Sequence, residues 1–268
     1  MFTPFAFYGG VSFSPVDIEG LVVWFDAQAG ITESSGEISQ WADQSGNGFF
    51  ATQSVAADQP FLSQSISEIN NKNAVRFQST NTEFMDIVDS SGTAKPWQNG
   101  GINNSHTMFV VTNQKSAFSN AYGVYITQGD NGRRSVGWGP QTFPDNYISF
   151  GVDNYAAGGL RISGSSAPLF SIDTWYTTMV SWTDWQAAQQ NADSGSYRVN
   201  GVDYTSEPWG SAPGTPTTTN PRLGKFIDGA TAAHLNADVA ELIVYTGSLS
   251  SDEIQQVEDY LQSKYGHY

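Results

Sequence analysis

The chain has 268 residues, no cysteine, 27 glycines, 13% aromatic and only 14% charged residues, a mix suited to strands and turns rather than to helices or disorder. Its 11 Lys+Arg against 26 Asp+Glu leave a formal net charge of −15, which excludes tracking a phosphate backbone by charge. The length allows a core without disulfides, and no run of eighteen apolar residues is present to cross a membrane as a helix.

The first segment, MFTPFAFYGGVSFSP, is aromatic and uncharged. It lacks a basic leader, and Gly9-Gly10 and Pro15 interrupt its apolar run, so it is not expected to be a secretory signal. Two readings stand. It is an edge strand folded back to protect a sheet edge, or an arm hinged at Gly9-Gly10 whose Phe2, Phe5, Phe7 and Tyr8 fill pockets on a partner. Residues 1–17 are taken as this arm or edge strand and 18–268 as one domain.

LVVWFDA (21–27) reads as a buried strand. Short apolar pieces at 38–41 and 49–51 flank the turn DQSGNG (43–48), whose glycines and Asn47 suit left-handed backbone. NAVRFQS alternates, with Ala74, Arg76 and Gln78 on one face and Val75 and Phe77 on the other. Strands are then expected at TEFMDIV, HTMFVVTNQ (106–114), GVYITQG, SVGWGP, YISFGVD, GLRISG and WYTTMVSWT (175–183). SYRVNGVDY reads as a hairpin turning at Asn200-Gly201, and DVAELIVYTG (238–247) is the last strand. Residues 90–104 and 207–220 read as loops. Strand spacing of about 8–12 residues is that of a sandwich or barrel. One helix is predicted, in LSSDEIQQVEDYLQSKYG, and is expected to cap one edge of the β structure. Ser250 and Glu253 form its capping box, Leu249 and Ile254 its staple, and Gly266 ends it. Ile254, Val257 and Leu261 line its apolar face.

VVWFDAQAGIT, ISQWADQSGNGFFATQ and DVAELIVYTGSLSSDEIQQVEDYLQSKYG occur in that order, with NAVRFQST, HTMFVVTNQ and YRVNGVDY between them. Together they resemble the laminin-G-like branch of the concanavalin A-like lectin/glucanase superfamily, from about residue 21 to 266, with 115–170 matching only as generic β. The resemblance implies an all-β fold, a two-sheet antiparallel jelly-roll sandwich with a short C-terminal α-helix. Modules with this ending look like those of phage virion and bacterial surface proteins. Trp24, Trp41, Phe77, Phe109, Val111, Trp182 and Val244 are the expected core.

In the family resembled, an Asp in the turn and an Asp before the last strand help hold calcium. The matching residues are Asp43 and Asp238, with Asn47 as a further oxygen; the alternative is that Asp43 simply caps its turn. Glycan cleavage needs carboxylates converging from one strand. Asp238 and Glu241 are three apart, hence expected on opposite faces, and Glu258-Asp259 lies on a surface helix. His106, His234 and His267 lack metal-ligand spacing, so no enzyme is expected. Aromatic candidates for a glycan platform are Trp97, Trp138, Tyr147, Trp185 and Trp209, with Gln98, Asn99, Asp145, Asn146 and Gln186 nearby; the alternative is burial at loop bases.

The leading expectation is a non-enzymatic phage virion structural protein on the virion surface, a capsid decoration or a tail or fibre component. It would be made in the host cytoplasm, anchored to other virion proteins by its arm, multi-copy or homo-oligomeric, and able to touch host-surface glycans. Neither nucleic-acid binding nor membrane insertion is expected. The alternative is a free-standing bacterial carbohydrate-binding module, and a glycan-cleaving enzyme is the third reading.

Overall fold

Period-2 alternation decides which side of each strand faces the interior. A computed structural model describes residues 13–92, 105–115, 123–127, 135–139, 147–151, 158–162, 171–182, 195–204, 206–210, 221–225 and 234–268. Its strands are β1 (Leu21–Asp26), β2 (Ile31–Ser34), β3 (Glu37–Ala42), β4 (Phe50–Thr52), β5 (Phe61–Ile66), β6 (Lys72–Phe77), β7 (Met85–Val88), β8 (His106–Gln114) and β9 (Gly123–Thr127). They continue as β10 (Ser135–Gly139), β11 (Tyr147–Gly151), β12 (Gly158–Ile162), β13 (Trp175–Trp182), β14 (Gly195–Val199), β15 (Val202–Tyr204), β16 (Ser206–Gly210), β17 (Arg222–Leu223) and β18 (Ala237–Thr246). The helix α1 (Ser251–Tyr265) follows.

Every strand pairing among the described residues is antiparallel, and the strands sort into two ladders. One, here the helix-side sheet, runs β5–β6–β18–β8–β13–β14–β15, with β1 beside β6 along the same edge of β18. The other, the far sheet, runs β2–β3–β4–β7–β17–β9–β10–β11–β12–β16. Among the described residues a single ladder pair, Glu37 with Phe61, joins them at a seam.

The architecture is the expected jelly-roll sandwich, with two apolar cores. Val23, Phe25, Ile38, Trp41, Phe77, Val110, Leu242 and Val244 meet between the sheets. Ile18, Ala74, Phe109, Val111, Ile243 and Tyr245 point the other way, against Ile254, Val257, Leu261 and Tyr265 of α1. The helix therefore lies on the outer face of a sheet and not at an edge. Trp24 packs partly buried against this second core, and Phe109 and Val111 belong to it rather than to the inter-sheet core. The Trp182 side chain lies outside the described residues.

Two departures from the sequence reading matter for the site. EPWG, expected as loop, is part of β16. Among the described residues β16 pairs only with β12, an edge position where Pro208 is tolerated because the missing N–H breaks no second ladder. β18 carries a bulge between Val239 and Glu241, which resets its alternation. Among the described residues no helix is long and apolar enough to cross a membrane. Residues 1–12, and with them Phe2, Phe5, Phe7 and Tyr8, lie outside the described residues.

Candidate functional site

The far sheet presents a continuous cross-strand row. Thr32 pairs with Gln40, Gln40 with Thr52, Thr52 with Asp86 and Asp86 with Arg222. Arg222 pairs with Thr127, Thr127 with Ser135, Ser135 with Gly151, Gly151 with Gly159 and Gly159 with Trp209. Direct partners in an antiparallel ladder share a face. The adjacent row is apolar: Met85, Leu223, Ile126, Val136, Phe150, Leu160 and Pro208 follow one another in register. Met85, Leu223 and Ile126 are core residues, so Asp86 and Arg222, which alternate with Met85 and Leu223, face outward.

This register separates the aromatic candidates. Trp209 stands in the polar row. Tyr147 pairs with Gly139 and stands two residues from Ser149, at the same alternation as the polar positions. Trp138 pairs with Ile148, at the alternation of Val136 and Phe150 and opposite to that of Tyr147. Trp97 and Trp185, with Gln98, Asn99, Asp145, Asn146 and Gln186, lie outside the described residues.

A cationic centre sits mid-row. Arg222 Nε donates to Asp86 Oδ1 at 2.5 Å, and its guanidinium carbon is 5.3 Å from the Phe84 ring centroid. Lys225 Nζ lies 4.3 Å from the same centroid, and the His234 ring 6.4 Å away. Burial, then the neighbouring Arg222 charge, pulls the Lys225 pKa down. With Arg222 offset by Asp86, the two cations held against the aromatic ring still carry one more charge than that carboxylate, a local site suited to a carboxylate or a hydroxyl-rich ligand on a strongly acidic chain. Sequence reading did not find it, because a bare FMD and a bare RLGK carry no motif.

The calcium candidates fall in two places. Asp43 Oδ1 accepts the Trp24 and Ser45 amides at 2.6 and 3.0 Å, and Oδ2 accepts the Ser45 hydroxyl at 2.5 Å. Asn47 Nδ2 donates to the Leu21 and Val22 carbonyls, both at 2.9 Å. These side chains pin the turn to β1. Burial raises the Asp43 pKa in spite of those hydrogen bonds. Asp238 belongs elsewhere: Trp24 pairs with Ile243, five residues along β18, or about 16 Å at roughly 3.3 Å per residue. There Asp238 lies 3.1 Å from Lys115 Nζ and 3.8 Å from Arg76 Nη1. Among the described residues no group of three or more His, Asp or Glu gathers as a metal site.

The β18 carboxylates correct another expectation. Asp238 pairs with Asn113 and Glu241 with Val111, two apart on β8, so the bulge puts both carboxylates on the helix side. Glu241 has no solvent exposure. Trp24 Nε1 and Tyr260 donate to its Oε1 at 2.6 and 3.0 Å, and Lys264 and Tyr265 to its Oε2 at 2.7 Å each. Lys264 also donates to Asp26 at 2.7 Å. Three of these four donors come from α1 and the fourth from β1, so Glu241 fastens the helix to the sheet. Glu258, read as a surface residue, is buried and takes the Arg198 guanidinium on both oxygens at 2.9–3.1 Å.

No protein-family model and no curated protein sequence matches the chain. Among solved structures, the binding domain of botulinum neurotoxin serotype C1 superposes with a TM-score of 0.54 at 11% identity, over 93% of this chain and 53% of that one. The binding domain of botulinum neurotoxin DC in complex with SialylT gives 0.54 at 10% identity, over 93% and 53%. Trypanosoma rangeli sialidase in complex with sialic acid gives 0.50 at 13% identity, over 92% and 34%. The chain spans about a third of the sialidase and about half of each neurotoxin domain. The likeness is one of fold, and it agrees with a two-sheet antiparallel jelly roll.

Proposed function

We propose that the chain is a non-enzymatic glycan-binding module whose ligand face is the outer face of the far sheet. The observation that carries this reading is the polar row from Thr32 to Ser135, continued in register through Gly151 and Gly159 to Trp209, with the Arg222–Lys225 centre beside it. Thr, Gln, Ser, Asp and Arg supply the donors and acceptors that hydroxyls need. Gly151 and Gly159 carry no side chain, so a ring can approach the strands between Thr127 and Trp209. The cationic centre favours a carboxylated sugar. The sialidase complex holds such a sugar; that is a property of that enzyme, and it makes sialylated glycans the first probes here. Support for a non-enzymatic role comes from β18, where Glu241 and Asp238 are each committed to protein partners.

A glycan array with sialylated, uronate-bearing and neutral glycans tests this reading, read beside a reducing-end assay on the same glycans. Expected are binding that Arg222→Ala weakens about ten-fold or more, about 1.4 kcal/mol, and no new reducing ends. Binding indifferent to Arg222→Ala would move the ligand off this face, and released ends would make the protein an enzyme.

The anchored, virion-surface reading has one observation in its favour. Phe13 packs edge-on against Tyr260 with centroids 6.1 Å apart, and the Tyr245 hydroxyl donates to the Pro15 carbonyl at 2.9 Å. Phe13 and Pro15 therefore lie on the helix side, away from the far sheet. An arm leaving there would hold the module to a partner with the glycan face outward. Deleting residues 1–12 should abolish attachment to a particle while leaving the melting temperature and glycan binding intact. A fall in the melting temperature would instead make the segment part of the sandwich.

A further inference from the structure

We infer that the seam between the sheets is a second sugar site, built for a neutral pyranose; it rests on the glycan-binding reading for its ligand class alone. The site begins at the β2–β3 turn, where Ser35 and Gly36 both take left-handed backbone, φ 58° and 90°. Gly36 has to be glycine for a second reason. A Cβ there would stand 2.1 Å from Phe61 Cε2 and 2.3 Å from Cζ, so the Phe61 ring rests on the glycine itself. Backbone bonds from Leu62 N to Gly36 O and from Ile38 N to Pro60 O, both 2.8 Å, hold turn and ring together. Phe61 is nonetheless 43% exposed, a large apolar side chain fixed in place and open to solvent.

The ring lines a cleft of about 500 Å³ together with Glu33, Ser35, Ser63 and Gln64. An aromatic wall beside a few convergent polar groups is the usual make-up of a small-molecule site. Glu33 Oε2 accepts the Gly36 amide at 2.7 Å, which orients the carboxylate. Its other oxygen can accept a ligand hydroxyl, and Ser35, Ser63 and Gln64 both donate and accept. The lining holds one carboxylate and no cation, so it favours hydroxyl donors and repels anionic sugars. That is the opposite preference to the Arg222–Lys225 centre, and the two sites can hold different residues of one glycan.

The test is an amide NMR titration of the full chain with methyl β-glucoside, methyl β-galactoside, methyl α-mannoside and N-acetylneuraminic acid. At least one neutral glycoside should shift the Gly36, Ser63 and Gln64 amides with a Kd of about a millimolar. Phe61→Ala should weaken this about ten-fold or more, Phe61→Tyr should preserve it, and Trp209→Ala should leave it unchanged. Gln64→Ala, an exposed position, gives an independent loss should Phe61→Ala fail to fold. N-acetylneuraminic acid should leave these amides still. Silence of the three amides with every neutral glycoside, shifts that survive Phe61→Ala and Gln64→Ala, or equal shifts with N-acetylneuraminic acid would overturn the inference. Array binding lost in Arg222→Ala beside a silent seam would sink the seam site alone; a titrating seam with no such array binding would sink the far-sheet face alone.

Discussion

His267 packs its ring edge-on to Tyr268, with Nε2 3.2 Å from Thr177 Oγ1 and Nδ1 buried without a hydrogen-bond partner. Burial lowers its pKa from 6.5 to about 4. The unfolded chain therefore takes up the proton first as pH falls. The stability this residue supports is fully present above about pH 6.5 and is lost progressively as pH falls toward 4, by at most about 3 kcal/mol. Urea unfolding at a series of pH values should show that decline, and His267→Phe should flatten it; an unchanged slope in the variant would show that other groups are responsible. Lys264 is the other decisive residue. Removing it in Lys264→Met leaves Glu241 buried beside Asp26 without its cation, which should cost about 3–5 kcal/mol in thermal unfolding. Glu241→Gln in the same chain should recover much of that loss. Neither group was legible in the sequence. Three-residue spacing predicted opposite faces for Asp238 and Glu241, and the bulge that unites them depends on how β8 pairs, a tertiary fact. Phe61 was equally silent, since PFLSQS has neither clear alternation nor a motif. Trp209 was singled out by residue type, and only register separates it from Trp138.

Local chemistry made the helix the most readable element. Ser250 and Glu253 form both arms of the capping box, Gly266 ends the helix at φ 60°, and Ile254, Val257 and Leu261 are buried. Ser250→Ala should cost about 1 kcal/mol in a thermal or urea melt. The docking surface of the helix was not readable, because it depends on Arg198 meeting Glu258 and on Lys264 meeting β1 and β18. The DQSGNG turn poses the reverse problem: its sequence fits both a calcium loop and a capped turn. Its side chains are engaged with the backbone of β1, and Asp238 is held by Lys115 and Arg76. Calcium or a chelator should therefore leave the melting temperature unchanged. Asp43→Ala should lower stability by about 1–3 kcal/mol through the stranded Trp24 amide. A calcium-dependent rise in melting temperature, abolished in Asp43→Ala, would restore the metal reading.

For the whole molecule, strand count and spacing were enough to indicate a sandwich. What they could not indicate is that its two outer faces differ. The helix-side face is closed by α1 and receives the chain from residue 13. The far sheet carries the polar row, and the seam carries Phe61 between them. The proposed function assigns one face to attachment and the other to glycan. Its most direct test is calorimetric titration of the best sialylated array glycan into the full chain and into Trp209→Ala. The account predicts at least about a ten-fold loss of affinity in the variant with an unchanged melting temperature. Unaltered affinity in Trp209→Ala would contradict it.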